Sequence, residues 1–105
     1  MYTGTHDNDT VVGWFDTAPE HQKKHCLSYL DADGVDLHWD MIRSAWGTHS
    51  VMAIAQAQDL LGLGSDARMN FPGRFGGNWS WRAKDGVFSE KIAEKLGSLT
   101  RLYGR

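Results

Sequence analysis

The stretch YTGTHDNDT, residues 2–10, places a histidine, two aspartates and an asparagine side by side near the start of the chain. Such side chains between small residues are poor core material, so His6, Asp7, Asn8 and Asp9 draw attention first as a candidate site. Asn70, in RMN, adds an amide that both donates and accepts, which suits vicinal hydroxyls or a turn before Phe71-Pro72. Gln58 and Asp59 end an apolar run and should point to the same place if that run is a strand. Trp79 and Trp81 alternate in NWSW, where they could share one face. They belong to a set of five tryptophans in 105 residues, and tryptophan marks either a core or a surface on which something flat stacks. Sugar rings and nucleobases are the usual flat partners, and the acidic balance disfavours the second.

That balance is a net charge of -2 with a pI near 6.2, so neither nucleic acid nor an anionic membrane is expected as a partner. No apolar run approaches the ~20 residues of a membrane span, and no signal-peptide pattern opens the chain. Cys26 is the single cysteine, which fits a reducing, cytoplasmic setting. HQKKH, residues 21–25, sets two histidines one turn apart. It lacks the glutamate of a zinc-protease motif and any third ligand, so it is read as a solvated helix face. The glycine-rich GLG and GRFGG segments lack the strand–loop–helix context of a phosphate site. No metal or organic cofactor is expected.

The elements that must position these residues are mixed. Residues 1–9 have no helical period, and Asp9 is a candidate N-cap for the short apolar segment beginning at Thr10. Thr17 and Glu20 form a capping-box pattern with Pro19 in the first turn of a second helix. Asp36 is placed to cap a third, on which Leu37, Met41, Ile42, Ala45 and Trp46 recur at helical spacing. The run Val51–Met52–Ala53–Ile54 lacks a polar face and suits a buried parallel strand, although a buried helix is not separable by periodicity. A long glycine-rich segment through Arg82 follows, of the kind that usually carries function. Ser89 caps a last helix with Ile92, Leu96, Leu99 and Tyr103 on one face. A buried strand needs neighbours on both edges, and this chain offers one, residues 1–5.

Three segments, YTGTHDNDT (2–10), QDLLGLGSDARMN (58–70) and PGRFGGNWSWR (72–82), in that order closely resemble the C-terminal part of 4-α-glucanotransferases, the amylomaltase or disproportionating-enzyme family. The resemblance spans essentially the whole chain and includes the closing LTRLYGR. It implies an α/β fold, the last two or so β/α units of a (β/α)₈ TIM barrel, mostly helical when isolated. Residues 1–7 would end the seventh strand and residues 51–57 would form the eighth, making 1–105 an incomplete catalytic domain. It further implies transfer of α-1,4-glucan segments by a retaining double displacement. In that chemistry Asp7 would be the catalytic carboxylate that bonds the sugar hydroxyls and stabilises the transition state. His6, Asn70, Gln58, Asp59 and Trp79 are the candidate substrate-binding groups. The partners implied are maltooligosaccharides, starch or glycogen.

Nothing in the chain matches the family's nucleophilic aspartate or its acid/base glutamate, and the resemblance therefore implies a segment inactive alone. Exposed apolar faces would let such a segment oligomerise or swap elements. Asp9 is expected as a helix cap rather than a sugar ligand, and Asn8 as a loop buttress. Arg68 and Arg82 either pair with cleft carboxylates or tie the loop down. Arg74 and Phe75 replace a usually small, hydroxyl-rich stretch. The competing readings are a free-standing, non-catalytic α-glucan-binding module and a helical interaction domain.

Overall fold

The first helix, α1 (Val11–Thr17), begins where Thr10 Oγ1 accepts the Gly13 N–H at 3.0 Å. Thr10, fully buried, is thus the cap, not Asp9. Asp9 turns aside, accepting the Thr10 N–H at 2.8 Å through Oδ1 and the Ser65 hydroxyl at 2.6 Å through Oδ2. The expected Thr17–Glu20 capping box is also absent. Thr17 ends α1, its hydroxyl donating back to the Gly13 carbonyl at 3.1 Å, and Pro19 is the N-cap of α2 (Glu20–Leu30). Helix α3 (Leu37–Trp46) starts after Asp36 without a side-chain cap bond. A one-turn helix, α4 (Ala57–Leu60), and a 3₁₀ turn (Ser65–Ala67) precede α5 (Glu90–Leu102). There Ser89 does cap, its Oγ accepting the Ile92 N–H at 3.3 Å. The computed structural model describes all residues, 1–105.

The hydrophobic core is built around Trp39 and Ile42 of α3 and Leu99 of α5, with Trp46, Leu60, Ile92 and Leu96 packed around them. Of the expected α5 face, Leu99 is buried, Ile92 and Leu96 are half-buried, and Tyr103 lies past the helix end and is exposed. Polar ties lock the two helices. Trp46 Nε1 donates to Thr100 Oγ1 at 3.0 Å, and the Arg105 guanidinium donates to the carbonyls of Trp46, Thr48 and Ser50 at 2.8, 2.7 and 2.9 Å.

No continuous strand forms over residues 51–57. The segment makes one parallel bridge, Tyr2 to Ile54, with the Thr3 N–H on the Ile54 carbonyl at 3.0 Å and the Ile54 N–H on the Met1 carbonyl at 2.9 Å. Val51, Met52 and Ile54 are exposed rather than buried, and Ala57 already belongs to α4. The physical reason is that ladder formation needs partners, and only residues 1–3 supply them. Residues 1–3 do lie beside residues 52–59.

Candidate functional site

That juxtaposition is fastened by a buried carboxylate. Asp59, with no exposed surface, accepts the Thr3 hydroxyl at 2.7 Å and the Val11 N–H at 2.8 Å. Gln56 Nε2 lies 3.5 Å from the same Oδ2. Gln58, also buried, donates to the Ala67 carbonyl at 3.1 Å. Both residues were expected at the cleft as sugar ligands. Both are instead buried and bonded to the framework, so the structure does not bring them to a ligand surface. Their work is to hold the turn carrying His6 and Asp7 against α1 and the loop after α4.

That turn is closed by Asn8, whose Oδ1 accepts the Thr5 N–H at 2.7 Å and the Thr5 hydroxyl at 3.0 Å. It is the buttress anticipated for Asn8. The turn leaves His6 and Asp7 with side chains about half exposed, 54% and 50%, and with His6 Nε2 3.4 Å from Asp7 Oδ1.

The glycine-rich loop comes to meet them. Asn70 Nδ2 donates to Asp7 Oδ1 at 2.6 Å, and the Asn70 N–H donates to the His6 carbonyl at 3.1 Å. Trp79 lies against the His6 imidazole, with ring centroids 4.8 Å apart and planes tilted by 39°. Its backbone is left-handed, φ 58°, which a bulky residue adopts only when its surroundings impose it. The Trp79 N–H on the Met69 carbonyl at 2.7 Å is one such constraint. Asn78 is another, accepting the Phe71 N–H at 3.0 Å and donating to the Arg74 carbonyl at 2.9 Å. Sequence reasoning missed Asn78 and the Ser65–Asp9 bond. A polar residue after a glycine pair was the signal for the first; nothing local marks the second.

His6, Asp7, Asn70 and Trp79 are therefore brought together. Trp81 is not, since it lines a separate hollow with Leu61, Leu63 and Val87. The assembled surface offers a half-exposed carboxylate with free lone pairs, an imidazole, an amide and an exposed indole. Those groups suit a polyhydroxylated ring, the carboxylate accepting from hydroxyls while the indole covers a C–H face.

Comparison with known proteins decides the kinship. The family described as 4-alpha-glucanotransferase matches residues 1–88. The chain belongs to that family. Similar proteins include the 4-alpha-glucanotransferases of Clostridium butyricum, 45% identical over 99% of this chain, and Synechocystis, 44% identical over all of it. A solved structure, the amylomaltase of Streptococcus agalactiae in complex with acarbose, superposes with a TM-score of 0.94 at 34% identity over 99% of this chain. The chain spans about a fifth of these relatives: 22% and 21% of the two sequences and 21% of the solved chain. No helix is long and apolar enough to cross a membrane.

Proposed function

We propose that this chain is the C-terminal segment of a 4-α-glucanotransferase, supplying one wall of its active site. The observation that carries this reading is the Asp7 carboxylate held at 2.6 Å by Asn70 and flanked by His6 at 3.4 Å, on a surface otherwise open to solvent. Retaining transfer needs a nucleophilic carboxylate and an acid/base carboxyl roughly 5–5.5 Å apart, with an oxocarbenium-like state between them. Asp9 and Asp59 are tied into the framework, and Glu20, Glu90 and Glu94 lie exposed on helices. No segment of this chain resembles the family's nucleophile or acid/base motif, so both are assigned to the other four-fifths of the enzyme.

In this mechanism Asp7 accepts hydrogen bonds from two hydroxyls of the sugar at the point of cleavage. Those bonds strengthen as the ring flattens and positive charge grows on it, which is differential binding of the transition state. His6 and Asn70 bond the same sugar. Trp79 covers a C–H face of it. The substrates are α-1,4-glucans: a segment leaves as a covalent glycosyl-enzyme and passes to the 4-hydroxyl of another glucan or glucose. The remaining β/α units of a (β/α)₈ barrel would pair with residues 1–3 and 51–54 and cover Tyr2, Val51, Met52 and Ile54. Without them, self-association or segment exchange is the chain's route to covering the same side chains. A reducing cytoplasm suits the unpaired Cys26.

The experiment is incubation with maltotriose, watching for glucose and longer maltodextrins. The intact enzyme is expected to form both, and the 105-residue chain neither. Products from the chain alone would mean that the whole catalytic set lies within it, contrary to the proposal.

A further inference from the structure

We propose that Arg68 is the positioning residue that fixes the Asp7 carboxylate, acting through backbone carbonyls rather than through an ion pair. This rests on the assignment of Asp7 above. Arg68 Nη2 donates to the Asp7 carbonyl at 2.6 Å, and Arg68 Nε donates to the Asn70 carbonyl at 2.8 Å. These carbonyls belong to the two residues whose side chains meet at 2.6 Å. One guanidinium therefore bridges both backbone anchors of the Asp7–Asn70 pair. With the Asn70 N–H on the His6 carbonyl, the turn carrying His6 and Asp7 and the glycine-rich loop are joined by a closed circuit of bonds. The guanidinium carbon sits 4.6 Å from the Phe71 ring centroid, so the fork also packs against an aromatic face.

Within this chain Arg68 neutralises no carboxylate. The chain's ion pairs are His6–Asp7 and Lys23–Glu20, and neither includes Arg68. Its Nε and Nη2 donors go to main-chain oxygens. Here arginine differs from lysine in kind: a planar fork presents N–H groups in fixed directions and spans two acceptors, whereas an ammonium on a flexible stem has no such fixed geometry. Loss of the bridge frees the loop from the turn, and the Asn70 amide loses its register on Asp7 Oδ1. A carboxylate displaced by an ångström costs rate in the transition state while sugar binding, spread over many groups, changes little.

The test uses the intact enzyme carrying this segment, with Arg68→Met, Arg68→Ala, Arg68→Lys and Asp7→Asn compared by steady-state kinetics on maltotriose and by thermal unfolding. Arg68→Met is expected to lower kcat by about 10- to 100-fold while KM moves by less than about threefold. Arg68→Lys should fall between it and the parent. Added guanidinium ion should raise kcat of Arg68→Ala and leave Asp7→Asn unmoved. If Asp7→Asn is inactive while folded Arg68→Met keeps the parent kcat, or loses only KM, the inference fails and the Asp7 assignment stands. If Asp7→Asn keeps full activity, that assignment fails and takes this one with it. Should Arg68→Met not fold, Arg68→Lys decides: folded with the parent kcat, it overturns the proposal, and folded with reduced kcat and unchanged KM, it supports it.

Discussion

Asn70 Nδ2 donates to Asp7 Oδ1 at 2.6 Å across 63 residues of chain, and this bond joins the two halves of the candidate site. A hydrogen bond to a charged group contributes about 1.5–3 kcal/mol, which corresponds to about 10- to 100-fold in rate. Asn70→Ala in the intact enzyme is expected to lose kcat/KM by that factor. Asn70→Asp should do worse and differently. Two facing carboxylates resist ionising together, so activity should fall away at higher pH than in the parent as the solution is acidified. A pH–rate profile of both variants checks this.

Asp59 is a framework residue, and its removal should be felt as stability. Asp59→Ala leaves the Val11 N–H and the Thr3 hydroxyl without their acceptor in a site closed to water. The expected loss is about 2–4 kcal/mol, with Asp59→Asn losing less because one acceptor oxygen survives. Denaturant unfolding of the intact enzyme reads it.

How far the sequence announced this arrangement depends on the range of the forces involved. The last helix was legible because Ser89 and the Ile92–Leu96–Leu99 spacing are local signals that the fold obeys. His6, Asp7, Asn70 and Trp79 stood out in the sequence as candidates, and the structure brings all four together. Asp9 was misjudged because its partner, Ser65, lies 56 residues away and outcompetes the local cap. Gln58 and Asp59 were misplaced for a related reason. A polar pair after an apolar run reads as a strand end facing a cleft, but the chain turns into α4 at Ala57 and buries both. The 51–54 run has the composition of a buried strand, and its surroundings supply one bridge.

Gly13 tests how closely α1 and the 3₁₀ turn are packed. A methyl group at Gly13 would collide with the Ser65 side chain and lie 2.8 Å from the Ser65 backbone nitrogen. Alanine gains about 1 kcal/mol over glycine in a helix, but overpacking costs about 1–3 kcal/mol and falls here on main chain that cannot swing away. Gly13→Ala is therefore expected to be net destabilising, by about 1–2 kcal/mol. A variant as stable as the parent in thermal unfolding would show that the Ser65 turn moves freely.

Burial pushes the Cys26 thiol above its ordinary value. The folded protein then holds the thiol proton more tightly than the unfolded chain does. Stability is unaffected by this group below the ordinary thiol pKa and declines as pH rises through the raised one. The thiolate is the nucleophile, so iodoacetamide at pH 8 should alkylate Cys26 more slowly in folded protein than after denaturation. Equal rates would contradict the burial effect.

The central claim is that Asp7 acts on the sugar at the point of cleavage, and Asp7→Asn in the intact enzyme measures it most directly. The side chain keeps its size and an acceptor toward Asn70 and loses its charge. The expected kcat on maltotriose is lower by about 10²–10³-fold or more, with an unchanged unfolding temperature. A folded Asp7→Asn enzyme turning over at the parent rate would contradict it, leaving His6, Asp7 and Asn70 as the brace of a loop and nothing more.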